Sequence, residues 1–282
     1  MIRTTPVLLA IAVACCPAAA YAGTAQNSPR GIAAAAADLA NAATGRALWG
    51  REQYTQRPIA SITKVMTAYV VIKAGHIGRY VTVTRADERY LGCCIQGAGL
   101  IPGDVLTVRQ LLYAMLLPSG ADAARALART YGPGIGAFVR KMNQMARRLR
   151  LTRTHFTDFS GVDPGDVSTP RNLLMLGEAA IRLAFFRQVV RHRWHSLAAG
   201  RLHHSYFWRN TNLLLGSYPG ATGIKTGWTP AAGECLLFEA TRSNRTLIGV
   251  VLDSAATKTG RSFVDAARLL NWGFSHRLGS MR

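Results

Sequence analysis

A serine and a lysine stand three residues apart in Ser61-Ile62-Thr63-Lys64, just after Pro58 and at the start of a helix-like run that Gly75 ends at Ala74. On a helix this spacing puts both side chains on one face. A serine hydroxyl is a poor nucleophile until a base takes its proton. A lysine amine can be that base only if burial or another cation lowers its pKa. The helix start adds a backbone N–H and a partial positive charge beside the serine. Ser119-Gly120-Ala121, preceded by Pro118, offers a second hydroxyl able to relay a proton to a leaving amine. Lys225-Thr226-Gly227 falls on a predicted strand between Gly223 and Trp228. Its lysine would hold an anionic substrate group and depress the pKa of Lys64. Thr226 adds a hydroxyl, and Gly227 lets substrate lie close to the strand edge.

Lysine is scarce here, occurring only at 64, 73, 141, 225 and 258, so its placement is informative. Chance gives about 0.2 Ser-x-x-Lys matches and about 0.04 Lys-Thr-Gly triplets in such a chain. The second triplet, Lys258-Thr259-Gly260, sits in a polar loop opening the last helix and reads as a helix-start turn. Lys225 is therefore taken as the lysine of the site.

The elements that must position these groups follow from periodicity and turn signals. Ala33–Leu39 and Ala47–Trp49 flank the turn residues Asn41 to Gly45 and predict a hairpin. Helical spacing runs over Ser61–Ala74, Leu111–Leu117 behind the capping box Thr107-x-x-Gln110, Asp122–Arg129, Ile135–Arg150 and Pro170–Leu183. Gly223–Thr226, Cys235–Thr241 and Thr246–Leu252 read as strands, and Phe263–Phe274 as a closing helix. The prediction is an α+β fold: an antiparallel sheet formed from both chain ends, covered by helices, with a mostly helical segment between.

Composition narrows the class further. The 282 residues carry 34 Lys+Arg against 14 Asp+Glu, a net charge of +20, and 49% are apolar. That apolar share excludes disorder as the main state. Residues 1–22 read as an export signal, with Arg3, an apolar core from Val7 to Cys16, and Ala20-Tyr21-Ala22 before Gly23. The apolar run is broken at Pro17 and falls short of the roughly 20 residues that span a bilayer. Residues 23–32 read as a flexible leader and 33–282 as a single domain, with no transmembrane segment in the mature chain. The mature chain would keep a charge of +19 and three cysteines, Cys93, Cys94 and Cys235. An odd count without an even framework argues for idle thiols rather than a disulfide scaffold.

The arginines are spread through every segment with no nucleic-acid motif beside them, so no nucleic-acid partner is expected. Outside the cell the charge would draw the protein to anionic wall polymers. His192 and His195 have metal-ligand spacing but no Cys, Asp or Glu close in sequence, and a solvated basic helix is expected there. No metal and no cofactor is called for.

The order Ser-x-x-Lys, Ser-Gly-x, Lys-Thr-Gly resembles the serine D-alanyl-D-alanine carboxypeptidases, the low-molecular-weight penicillin-binding proteins. The resemblance runs from about residue 30 to 275. It includes Pro58–Thr67, Leu117–Gly120, Phe156–Asp163 and Gly223–Thr229. It implies the fold shared by β-lactamases and DD-peptidases, and a substrate that is a peptidoglycan stem peptide ending in D-Ala-D-Ala. Ser61 would carry the acyl group, Lys64 would be the base, and Ser119 would pass the proton on. Lys225, Thr226 and Gly227 would bind substrate, and the backbone N–H groups of Ser61 and Trp228 would form the oxyanion hole. β-Lactams would acylate the same serine.

The chain departs from this pattern at Ala121, where the family usually has Asn, and a methyl can make no hydrogen bond. The alternatives are a weak or inactive peptidoglycan-binding homologue or, less in keeping with the motifs, a serine β-lactamase. The only Glu between Ser119 and Lys225 is Glu178, without the following Leu-Asn of the penicillin-hydrolysing enzymes. The expected location is exported: extracellular, periplasmic or wall-associated.

Overall fold

The computed structural model describes residues 28–90 and 95–276. The expected export signal and the Cys93-Cys94 pair lie outside the described residues. The chain opens with strands β1 (Ala36–Asn41) and β2 (Ala47–Arg51). Their turn is built by Asn41, whose Oδ1 accepts from the amides of Ala43 and Thr44, and by Gly45 at φ +67°. Next come β3 (Arg57–Pro58), a 3-10 turn (Ala60–Ile62) and α1 (Thr63–Ala74). The middle of the chain is mostly helical: β4 (Tyr80–Thr82), α2 (Arg85–Arg89), β5 (Val105–Thr107), α3 (Val108–Leu116), α4 (Ala121–Tyr131), α5 (Ile135–Arg148), β6 (Val167–Ser168), α6 (Pro170–Ile181) and α7 (Ala184–Arg191). It closes with β7 (Trp194–Leu197), β8 (Tyr206–Arg209), α8 (Leu214–Ser217), β9 (Ala221–Thr229), β10 (Gly233–Arg242), β11 (Arg245–Leu252) and α9 (Arg261–Ser275).

Five strands form one antiparallel sheet in the order β2-β1-β11-β10-β9. Both ends of the chain therefore build it, as the sequence predicts. The sheet is buried on both faces, which is why β10 and β11 read as nearly continuous apolar runs. On one face Leu39, Phe238, Leu247 and Val251 pack on Ala266, Leu269 and Leu270 of α9. On the other, Ala36, Leu237, Ile248 and Val250 join the larger core with α1, α6 and α7. Helix α1 runs through the middle of that core, buried from Thr63 to Val71 on all sides. A helix apolar all round is stable only when enclosed.

The helix starts are chemically marked. Thr107 and Gln110 cap α3 reciprocally, and Thr169 accepts from the Asn172 amide ahead of α6, with Pro170 in its first turn. One expectation fails. His192 follows the end of α7 and His195 lies on β7, its ring stacked 4.0 Å from Tyr113 and 6.1 Å from Trp208. Aromatic packing, not a solvated basic helix, accounts for the pair.

Strand β9 is an edge of the sheet, and the 3-10 turn before α1 lies against it. Gly227 makes this approach close: a Cβ there would stand 3.0 Å from the Ile59 carbonyl and 3.2 Å from the Ser61 nitrogen. The glycine of the third motif is thus required by the neighbouring backbone turn.

Candidate active site

Ser61 sits in the 3-10 turn and Lys64 in the first turn of α1. Lys64 Nζ donates to Ser61 Oγ at 2.9 Å and to the Ser160 carbonyl at 2.6 Å. The lysine is only 1% exposed. Burial lowers its pKa to about 8, against the opposing pull of Asp158, Asp122 and Asp166. A nucleophile within hydrogen-bond reach of a buried amine of lowered basicity is an arrangement for proton abstraction.

The Ser160 carbonyl is held in place by its own loop. The Asp158 carboxylate accepts from the amides of Ser160, Gly161, Val162 and Asp163. Asp166 accepts from the amides of Thr157 and Asp158 and, at 2.7 Å, from the Thr63 hydroxyl of α1. Its pKa is pushed up to about 7 by burial and by neighbouring Asp158. Thr67 adds a bond to the Phe159 carbonyl at 2.7 Å. Gly161, at φ +82°, lies where a Cβ would overlap the Ala60 carbonyl. The loop and the start of α1 are thereby one unit.

Ser119 lies between α3 and α4 at φ +70°, a left-handed conformation costly for a residue with a Cβ. Its Oγ is buried without a protein partner, and the residue lines the same cleft as Ser61. Ala121 opens α4, fully buried, and its amide donates to the Gln96 carbonyl at 2.9 Å. Asp122 beside it accepts from the amides of Ala98 and Leu100, fixing the segment that carries Gln96 to the helix start. The hydrogen bond missing at Ala121 does not leave Lys64 unsupported, because the Ser160 carbonyl takes it.

On β9, Lys225 Nζ donates to the Thr226 carbonyl at 3.0 Å, and the hydroxyls of Thr226 and Thr211 lie 2.6 Å apart. Lys225 is 1% exposed, and its pKa is held well below the usual lysine value by burial and then by the charge of Lys64. Burial is the first cause at both lysines, and like-charge repulsion between the two amines opposes protonating both at once. The indole Nε1 of Trp228 donates to the Ala256 carbonyl, and Lys258 Nζ lies 4.6 Å from the centre of its ring.

Ser61, Ser119, Thr226, Gly227 and Trp228 line one cleft of about 270 Å³, and the buried amines of Lys64 and Lys225 reach it through Ser61 Oγ and the Thr226 carbonyl. The residues of the three motifs are thus brought together. Sequence reasoning missed Thr211, Asp158 and Asp166. It also set Lys258 aside: the second triplet does open α9, where Glu234 accepts from the amides of Gly260 and Ser262, yet Lys258 reaches the cleft. Cys235 is a free, buried thiol, its pKa pushed up to about 12 by desolvation, in keeping with an inert role.

A cleft of this composition at a sheet edge, facing the start of a buried helix, defines a serine acyl-transfer fold, and comparison with known proteins gives it a family. Residues 22–256 match peptidase family S11, D-alanyl-D-alanine carboxypeptidase. The chain belongs to that family. It is 40% identical over 258 residues to the D-alanyl-D-alanine carboxypeptidase of Streptomyces sp. (strain K15), covering 86% of this chain and 88% of the relative. It is 35% identical over 241 residues to D-alanyl-D-alanine carboxypeptidase DacB2 of Mycobacterium tuberculosis, covering 84% and 81%. The crystal structure of the Streptomyces K15 DD-transpeptidase matches with a TM-score of 0.83 at 39% identity, over 88% of this chain and 100% of that one.

Proposed function

We propose that the protein is a serine-type D-Ala-D-Ala carboxypeptidase acting on peptidoglycan stem peptides and acylated by penicillins. The observation that carries this reading is the 2.9 Å contact between Ser61 Oγ and the buried amine of Lys64. Neutral Lys64 takes the Ser61 proton as Oγ attacks the carbonyl carbon between the two D-alanines. The backbone N–H groups of Ser61 and Trp228 stabilise the oxyanion, a contribution commonly worth about 3 kcal/mol per donor. As the C–N bond breaks, Ser119 passes the proton to the departing amine. Water then cleaves the seryl ester and restores the hydroxyl.

Lys225 and Thr226 bind the terminal carboxylate. Two buried amines in one cleft resist carrying two protons at once. An incoming carboxylate favours the proton on Lys225 and so leaves Lys64 neutral, which places substrate binding and base activation in one event. Residues 1–22 act in this reading as an export signal, 23–32 as a leader and 33–282 as a single domain. The net charge of +19 left after export draws the protein to anionic wall polymers.

The experiment is incubation of purified protein with a muropeptide ending in D-Ala-D-Ala and assay of free D-alanine. Stoichiometric release followed by turnover is expected. Binding without any release would instead support the non-enzymatic wall binder that Ala121 suggests.

A further inference from the structure

Leu213 lines the catalytic cleft and also a second groove, of about 560 Å³, that opens beside it. The wall between them is the segment Asn210–Leu213, whose Thr211 hydroxyl meets that of Thr226 on β9. The far side of the groove is the β7–β8 hairpin. Its strands alternate: Tyr206 and Trp208 are buried, while Trp194, Phe207 and Arg209 face out. Trp194 is 55% and Phe207 65% exposed, with ring centroids 5.8 Å apart, and Arg209 stands opposite Trp194 in the ladder.

Contiguous exposed apolar area rimmed by polar residues marks binding grooves and contact surfaces. Three further features give the groove its chemistry. Arg193 and Arg209 both line it, and neither forms an ion pair among the described residues. Asn212, 2% exposed, accepts from the Leu214 amide through Oδ1, while its Nδ2 is buried with no partner. The groove thus offers a flat apolar platform and two uncompensated cations, over a buried Asn212 amide that lacks a partner. Sugar rings present a C–H face that stacks on indole and phenyl rings, and acidic peptides present carboxylates to arginine forks.

We propose that this groove binds the muramyl-peptide part of the substrate, with a sugar ring on Trp194 and Phe207 and stem-peptide carboxylates on Arg193 and Arg209. The inference rests on the carboxypeptidase reading for the direction of the chain, since an occupant of both hollows must pass the Asn210–Leu213 segment. Its chemistry comes from the groove itself. A smooth lipid surface would be a poorer match, because the rings and both arginines line a concavity.

The test compares wild type, Trp194→Ala and Arg209→Glu on two substrates, a diacyl-Lys-D-Ala-D-Ala tripeptide and a disaccharide pentapeptide. Both variants alter exposed side chains, so folding should be retained. We expect kcat/KM on the disaccharide pentapeptide to fall about tenfold in each, with tripeptide turnover unchanged, as loss of binding remote from the reacting bond predicts. Calorimetric titration with disaccharide tetrapeptide, which lacks the scissile D-alanine, reads the groove independently of turnover. Wild type should bind it about tenfold more tightly than the sugar-free tetrapeptide, and Trp194→Ala should erase the difference. If wild type releases no D-alanine yet shows this Trp194-dependent binding, the activity fails and the groove stands. Equal affinities in wild type and both variants would overturn the proposal. So would variants that lose only co-sedimentation with phosphatidylglycerol vesicles, since that outcome assigns the rings to a membrane.

Discussion

The Lys64 amine lies 2.9 Å from the Ser61 hydroxyl and is shielded from water, so its proton affinity, lowered to about 8, governs how readily the serine can attack. Below that value the amine is charged and cannot accept the Ser61 proton, and the neutral fraction falls tenfold per pH unit. The second-order rate of penicillin acylation should therefore climb with slope one toward pH 8 and level off above it. Lys64→Arg keeps a charge at all these pH values and should lose about 10² to 10⁴ in rate, the usual worth of a general base. Stopped-flow acylation between pH 5 and 10 measures both effects.

Asp158 acts on Lys64 in two ways, through the Ser160 carbonyl that its loop presents and through its charge. Asp158→Ala removes the acceptor for four backbone amides, which should cost about 3 kcal/mol or more in urea unfolding. It also removes the carboxylate first among those that favour the Lys64 ammonium. Any residual acylation should then show its midpoint moved to lower pH. A slower enzyme with an unmoved midpoint would assign Asp158 a purely structural role.

Much of this site is written in short spacings. Three residues of separation place Ser61 and Lys64 together, and the capping box at Thr107 is a local pattern that survives folding unchanged. That both chain ends supply one antiparallel sheet was legible as well, because strands at both ends with helices between leave few ways to bury the apolar faces. Asp158 and Asp166 were not, since their value lies in amides that the loop turns inward only once α1 is in place. Thr211 was missed for the same reason: it lies in the loop after β8, and its partner, Thr226, is on β9. The β7–β8 hairpin hides behind arginines and histidines that make the stretch read as polar, while the His195 ring packs on Tyr113 and Trp208. Lys258 lies in a turn of the expected kind, and only the fold carries that turn to Trp228.

Ala121 is fully buried at the start of α4, and Lys64 already has the Ser160 carbonyl as its second acceptor. Ala121→Asn should therefore raise acylation less than tenfold. The larger side chain should lower stability by about 1–3 kcal/mol, the usual cost of overpacking. Thermal melts and nitrocefin or peptide kinetics on the variant give both quantities. A gain of a hundredfold would mean that the missing amide, not the loop carbonyl, limits the natural enzyme.

The central claim is that Ser61, activated by Lys64, forms the covalent acyl intermediate. Labelling with a fluorescent penicillin, followed by mass spectrometry of the modified peptide, tests it most directly. Wild type should carry one adduct, on Ser61, and Ser61→Ala should carry none while retaining its fold by circular dichroism. An adduct on another residue, or equal labelling of the two proteins, would contradict the account.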